Sequence, residues 1–391
     1  MSTAQPVRLA RINAVVTGPG RSRSRRAVLA AAGLASLVFA VVAAVWLAVP
    51  ATNAFADTES PFSSDRTLLS SALSPEAAAA TMLVISALGV VVAVVGLLEL
   101  ARRQRGVATA VGVFGIAQAL VIGVGLLNET TLMIAGYVMA LTVAVGAVLI
   151  AVQLLRTSRV GRVVVVGLST ALVVSIVVDI LPARAFVELG RNVAGLAGEL
   201  GSIAGVLGLA VTALLWALVG GQVARDRGLL TAPSRWVLRN RFPITVLAAL
   251  GPLPYCLLRL TWLTPWPYGV DAAGLTADIR IWGLLLSAGG WAGLVLTLGL
   301  VRPWGEVFPR WVPLVAGRTV PVWAAAGPGA VVAAILCISA LPMIAEFASE
   351  GVSEGLLSAL IFPFWFWGPM LALAVWAYVL HRRDEQVPPE Q

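Results

Sequence analysis

The chain has 391 residues, 59% of them hydrophobic and only 12% charged, and its mean hydropathy is +0.93. Soluble domains carry about a quarter charged residues, so a chain this apolar cannot clothe itself in polar groups and needs lipid as its solvent. The net charge of +8 comes entirely from Arg, in short runs between apolar stretches. A groove-binding patch would be clustered; this pattern excludes nucleic acid as a partner and fits guanidinium groups held at anionic headgroups.

A membrane-crossing helix needs about 20 apolar residues. Ten stretches qualify: 27–50, 76–100, 107–127, 131–155, 163–181, 196–220, 243–264, 279–301, 321–345 and 355–380. With the N-terminus inside, 22 of the 27 Arg fall on the inner side, and only Arg66, Arg184, Arg191, Arg259 and Arg280 on the outer. One span more or fewer would spoil the alternation, so the fold class is an all-α polytopic bundle of about ten helices with both termini cytoplasmic. Its expected parts are a basic segment 1–26, an aliphatic six-helix half 27–221, a basic linker 222–242, an aromatic-rich four-helix half 243–380 and a tail 381–391. Eleven of the 13 Trp follow residue 230, which sets the two halves apart.

In the first span, Ser24-Arg25-Arg26 before the apolar run and Ala54-Phe55-Ala56 before Asp57 have the look of a secretory leader. The run exceeds a leader's usual core, which predicts a retained helix. Ser74-Pro75-Glu76 reads as a helix start, with a cap, a Pro in the first turn and an acid at the positive dipole end. Residues 183–195 predict an outer-surface helix running into the sixth span, with Arg184, Glu188 and Arg191 paired along one face. Gly198, Gly201, Ser202, Gly205, Gly208 and Thr212 predict that the sixth span packs closely in the interior.

The second half contains a weak internal echo. Arg235-Trp236-Val237 and Arg310-Trp311-Val312 precede the seventh and ninth spans, and Gly251-Pro252 and Gly327-Pro328 interrupt them at similar depths. This suggests a tandem helical hairpin, although interfacial Arg-Trp pairs also arise without ancestry.

The most specific local feature is Gly251-Pro252-Leu253-Pro254-Tyr255. Counted from Pro243 at about 1.5 Å per residue, it sits near mid-membrane. Two prolines two apart delete two backbone donors, and freed carbonyls at that depth must find protein, water or a ligand. The alternatives are a plain kink and a substrate site of the discontinuous-helix kind. Phe362-Pro363-Phe364-Trp365-Phe366-Trp367-Gly368-Pro369 is the companion feature. Its five rings cannot all face one way, so Phe364 and Trp367 become candidates for lining an apolar cavity, against an interfacial aromatic belt.

Arg259, about 24 Å from the inner end, needs a partner or a route to the headgroups. Glu346, Glu350 and Glu354 recur every fourth residue at the same outer level and are candidate partners in an outward polar cluster. The candidate binding residues are therefore Pro252, Pro254, Tyr255, Arg259, Glu346, Glu350, Phe364 and Trp367. The loop 302–321, stiffened by Pro and carrying Trp304, Phe308 and Trp311, reads as lying on the membrane surface or docking a cytoplasmic protein partner.

Chemistry is scarce. His381 is the only His, and Cys256 and Cys337 both sit in apolar runs, so no metal site, cofactor or disulfide is expected. No Walker loop, HExxH or Gly-x-Ser-x-Gly occurs, and no acid or Lys lies near the centre of a span, so no catalytic residue is assigned. Leu258-Arg259-Leu260-Thr261-Trp262-Leu263-Thr264-Pro265-Trp266-Pro267 and Arg302-Pro303-Trp304-Gly305-Glu306-Val307-Phe308-Pro309-Arg310-Trp311-Val312-Pro313 resemble segments of uncharacterised actinobacterial multi-pass membrane proteins, over about a third of the chain. The resemblance implies a bacterial cytoplasmic membrane and brings no activity with it. The expected function is a transporter or permease-like protein for a small or lipid-like molecule, with membrane lipids around it. The alternatives are a non-catalytic scaffold or partner subunit, and a membrane enzyme using the outer acids.

Overall fold

The computed structural model describes residues 22–57, 67–102, 105–127, 129–157, 159–178, 181–195, 197–264, 266–270, 274–309, 312, 315–349 and 351–385. Fifteen α-helices are present among them: α1 (Ser22–Ala48), α2 (Leu68–Ala72), α3 (Pro75–Arg102), α4 (Arg105–Leu126), α5 (Glu129–Thr157), α6 (Arg159–Val177), α7 (Ala183–Gly195), α8 (Leu200–Asp226), α9 (Thr231–Arg239), α10 (Arg241–Leu250), α11 (Leu253–Leu260), α12 (Ala277–Gly299), α13 (Val322–Ser349), α14 (Val352–Ile361) and α15 (Phe364–Glu385). Ten segments are long and apolar enough to cross a membrane, with α10–α11 forming the seventh and α14–α15 the tenth. The protein is a multi-pass, all-α membrane protein. Helices satisfy every backbone group internally, which is what hydrocarbon demands. Its outward faces keep apolar residues such as Val163, 73% exposed, where lipid takes the place of water.

The first half is built on α1 against α3 and α8, and on α4 against α8. Trp216 of α8 is fully buried; its Nε1 donates to Ser36 Oγ at 3.0 Å, and its ring meets Phe114 edge-on at 5.3 Å. Gln118 Nε2 donates to the Ile85 carbonyl at 3.0 Å, a second bond that ties neighbouring helices together. The sixth span is interior, as its small residues predict, but the closest approach lies elsewhere along it. A Cβ on Gly115 would sit 2.8 Å from the Trp216 carbonyl, and one on Gly220 3.0 Å from that of Gly112, whereas Gly201 faces open space.

The segment after α1 is folded in. Phe55 is 1% exposed and packs edge-on against Trp46, its N–H donates to Asn53 Oδ1, and Asn53 Nδ2 donates to the Pro75 carbonyl. The helix start at Ser74 forms as read, with the Ala77 N–H donating to Ser74 Oγ at 3.3 Å. The helix over 183–195 also forms, but it does not run into the sixth span. A turn ending at Glu199 separates α7 from α8, because Ala185, Phe186 and Leu189 pack instead against Ile281 and Leu284 of α12. Arg184, Glu188 and Arg191 are exposed, and no ion pair joins them.

In the second half α15 packs against α10 and α13, around Ala248, Leu336, Ala374 and Tyr378. Ile335 of α13 joins the first half's core beside Ile122 and Val206, and α5 lies against α12 and α13. The hairpin echo fails at its interruptions. Gly251-Pro252 breaks its span, whereas Gly327-Pro328 lies inside the unbroken α13; a Pro in the second turn of a helix displaces few intrahelical bonds.

Contacts gather at the Arg-rich end. Arg25 pairs with Asp226, and Arg227 bonds Thr109 Oγ1, linking α1, α4 and the end of α8. The loop 302–321 folds as a hairpin, with a bridge from Val307 to Thr319 and the Val320 N–H donating to the Glu306 carbonyl at 2.8 Å. The last helix clasps this hairpin. Tyr378 Oη donates to the Gly305 carbonyl at 2.7 Å; Arg382 donates to Gly305 O at 3.1 Å, Tyr378 Oη at 2.8 Å and Val320 O at 3.1 Å. His381 Nε2 stands 3.5 Å from Glu306 Oε1. Arg310 and Trp311 lie outside the described residues.

Candidate functional site

Two helix interruptions define the site. In the seventh span α10 ends at Leu250, and α11 starts at Leu253. Gly251 (φ −52°, ψ −48°) and Pro252 (φ −75°, ψ −11°) stay near helical values. The Pro252 and Pro254 rings delete donors there with little change of direction. In the tenth span α14 ends at Ile361, Phe362 turns to φ −114°, ψ 69°, and α15 begins after Pro363. The residue before a proline is pushed out of the helical region, which places the break at Phe362.

Both interruptions open onto one cavity of about 250 Å³. Gly251, Pro252, Tyr255 and Arg259 line it from the seventh span, and Ile361, Phe362, Pro363, Phe364 and Trp367 from the tenth. Gly136 and Met139 of α5, Leu286 and Gly290 of α12, and Val332, Ile335 and Leu336 of α13 complete the wall. The wall is carbon-rich, and among the described residues Arg259 is its one charged side chain.

Of the eight candidate residues, Pro252, Tyr255, Arg259, Phe364 and Trp367 therefore meet on one cavity. Pro254 does not; it is exposed on the opposite face of α11. The Glu346 side chain and Glu350 lie outside the described residues. The aromatic run divides as its crowding requires. Phe362, Phe364 and Trp367 face inward in a stepped series with centroids 6.0 and 6.4 Å apart, while Trp365 is 49% exposed and donates to the Ala359 carbonyl. Residues on α5, α12 and α13 carried no signal of a site, since isolated Leu, Ile and Val in a span look alike whether they face lipid, a neighbour or a cavity.

Glycines set the wall's spacing. A Cβ on Gly251 would fall 2.4 Å from Trp367 Cγ and Cδ1, and one on Gly290 would fall 2.4 Å from Cys256 Sγ. Gly251 holds ordinary helical angles, so its role is close approach and not backbone freedom. Gly251→Ala is expected to cost about 1–3 kcal/mol by pushing the indole aside. Made together with Trp367→Ala it should cost far less than alone, which a double-mutant cycle of thermal unfolding measures.

Of the acids expected beside Arg259 in an outward polar cluster, the Glu346 side chain and Glu350 lie outside the described residues, and the described neighbours of its guanidinium are aromatic. Arg259 Cζ lies 3.7 Å from the Trp262 ring centroid and 4.9 Å from that of Tyr255. Trp262 is itself fixed: its ring sits where a Cβ on Gly283 would be, and its Nε1 donates to the Tyr268 carbonyl at 3.1 Å. The end of α11 thus turns the guanidinium inward onto aromatic rings, where cation–π attraction stabilises it. Among the described residues no carboxylate pairs with Arg259, and its Nε is buried with no hydrogen-bond partner. Trp367 Nε1 is likewise buried without one.

The cavity thus offers carbon surface with a guanidinium side chain and an indole side chain in its wall, which suits binding. Among the described residues no acid lines it, and no group of three or more His, Cys, Asp or Glu is placed to hold a metal ion. No protein-family model matches the chain, and no curated protein or solved structure matches it either.

Proposed function

We propose that this protein is permease-like, taking a small or lipid-like molecule into the cavity between the seventh and tenth spans, in a bacterial cytoplasmic membrane with both chain ends cytoplasmic. The observation that carries the reading is that both helix interruptions open onto the same cavity. A kink stabilised by its neighbours would be filled by side chains; a site of the discontinuous-helix kind leaves room beside the break. The side assignment rests on the Arg bias, and the choice of membrane on the resemblance of two segments.

The test is movement across a bilayer. Liposomes holding the purified chain are loaded with amphiphiles labelled on the head with a nitrobenzoxadiazole group, and external dithionite is added. The expected result is a protein-dependent loss of the fraction that stays protected in empty liposomes. A protected fraction equal to that of empty liposomes, across neutral, anionic and cationic probes, refutes the permease reading.

A further inference from the structure

We propose that the cavity selects an anionic amphiphile, its phosphate or carboxylate head at Arg259 and its apolar body along the carbon wall toward Trp367. The proposal rests on the permease reading for the identity of the site and goes beyond it by naming the ligand's chemistry.

Charge is the first argument. A guanidinium that meets no carboxylate among the described residues, at the edge of a carbon-lined cavity, is costly unless a counter-charge arrives. Rings cover its faces, at 3.7 Å from the Trp262 centroid and 4.9 Å from that of Tyr255. The donors of a guanidinium run round the edge of its plane, and its fork matches phosphate and carboxylate oxygens. Nε, buried and unpartnered, is already desolvated, so a hydrogen bond to it carries little further desolvation cost.

Depth is the second argument. Arg259 lies about 24 Å along the seventh span from Pro243, near the far headgroup level, where an amphiphile's head would sit. A soluble anion would need no carbon wall, and an uncharged lipid would leave the guanidinium uncompensated.

The second unpartnered donor refines the class. Trp367 packs against Gly251, about 12 Å along the helix from Arg259, so one head cannot reach both donors. The indole N–H instead meets an acceptor in the ligand's body, such as an ester carbonyl.

The probe is 1-lauroyl glycerol 3-phosphate, titrated into the full-length protein in a neutral glycoside detergent and read as the singly bound species by native mass spectrometry. Dodecyl phosphate has the head and chain without the ester, monolaurin the chain and ester without the charge, and glycerol 3-phosphate the head without the chain. The lysolipid is expected to bind at least about tenfold more tightly than monolaurin. Arg259→Gln should erase that margin and leave monolaurin unchanged, which also shows that the variant is folded. Trp367→Phe should weaken the lysolipid and monolaurin about threefold each and leave dodecyl phosphate alone. Equal binding of monolaurin and the lysolipid, or a margin that survives Arg259→Gln, overturns the head assignment. Displacement by glycerol 3-phosphate as strong as by dodecyl phosphate overturns the amphiphile in favour of a free anion. Binding with the expected selectivity but no movement in liposomes would sink the permease reading and leave the headgroup site standing.

Discussion

Replacing Trp216 with Ala is expected to lower the protein's stability by about 3 kcal/mol, the low end of the range for buried aromatics. In lipid the transfer part of such a loss shrinks, because lipid tails are as apolar as the core; the lost packing remains. Trp216 has no exposed surface, and its removal opens a hole between α1, α4 and α8, takes the edge contact from Phe114 and leaves Ser36 without its donor. Trp216→Phe keeps most of the ring and should cost less than half as much. Thermal unfolding in lipid nanodiscs measures both, and a melting temperature unmoved by Trp216→Ala would mean that α8 is not the interior helix of the first half.

The second large effect belongs to the clasp at the Arg-rich end. Arg382→Met keeps a similar length of chain and removes three donated hydrogen bonds, to Gly305 O, Tyr378 Oη and Val320 O. Bonds from a charged donor contribute about 1.5–3 kcal/mol each when buried. The side chain is half-exposed, so solvent screening brings the expected total down to about 2 kcal/mol. That corresponds to about a thirtyfold rise in the open population of the 302–321 hairpin. Trypsin cleavage after Arg318, exposed in the hairpin, should accelerate by that factor in vesicles that present the Arg-rich side outward. Arg382→Lys should recover only part of the loss, because a single ammonium cannot span both carbonyls. Cleavage at the wild-type rate in Arg382→Met would show that the Tyr378–Gly305 bond holds the hairpin unaided.

The span count was legible because hydrocarbon imposes length and composition on every crossing helix, and ten such helices are present. The interruption at Gly251-Pro252 was legible because proline chemistry is local. Gly327-Pro328 misled for the complementary reason: what a proline breaks depends on its distance from the helix start, which lies only a few residues before it in α13. Arg259 was legible as a charge in need of a partner, but the aromatic rings it meets were not. Trp262 lies only three residues on, yet its inward set depends on Gly283 and Tyr268, contacts that only the fold creates. Pro254 was placed with Pro252 by adjacency in sequence, whereas two residues of helix turn it to the far face. The clasp was invisible for a similar reason, since its acceptors are backbone carbonyls, which every residue has.

The last helix carries Trp367 near one end and the hairpin's tether near the other, about 22 Å apart along α15. No loop intervenes between them; the only soft joint is Pro369, one turn from the aromatic end. A rod fastened at both ends transmits displacement. Whatever tugs the hairpin on the Arg-rich face must therefore either shift the indole beside Gly251 or tear the Gly305 tether. The hairpin and the cavity wall are thus mechanically in series along α15 for as long as the Gly305 tether holds.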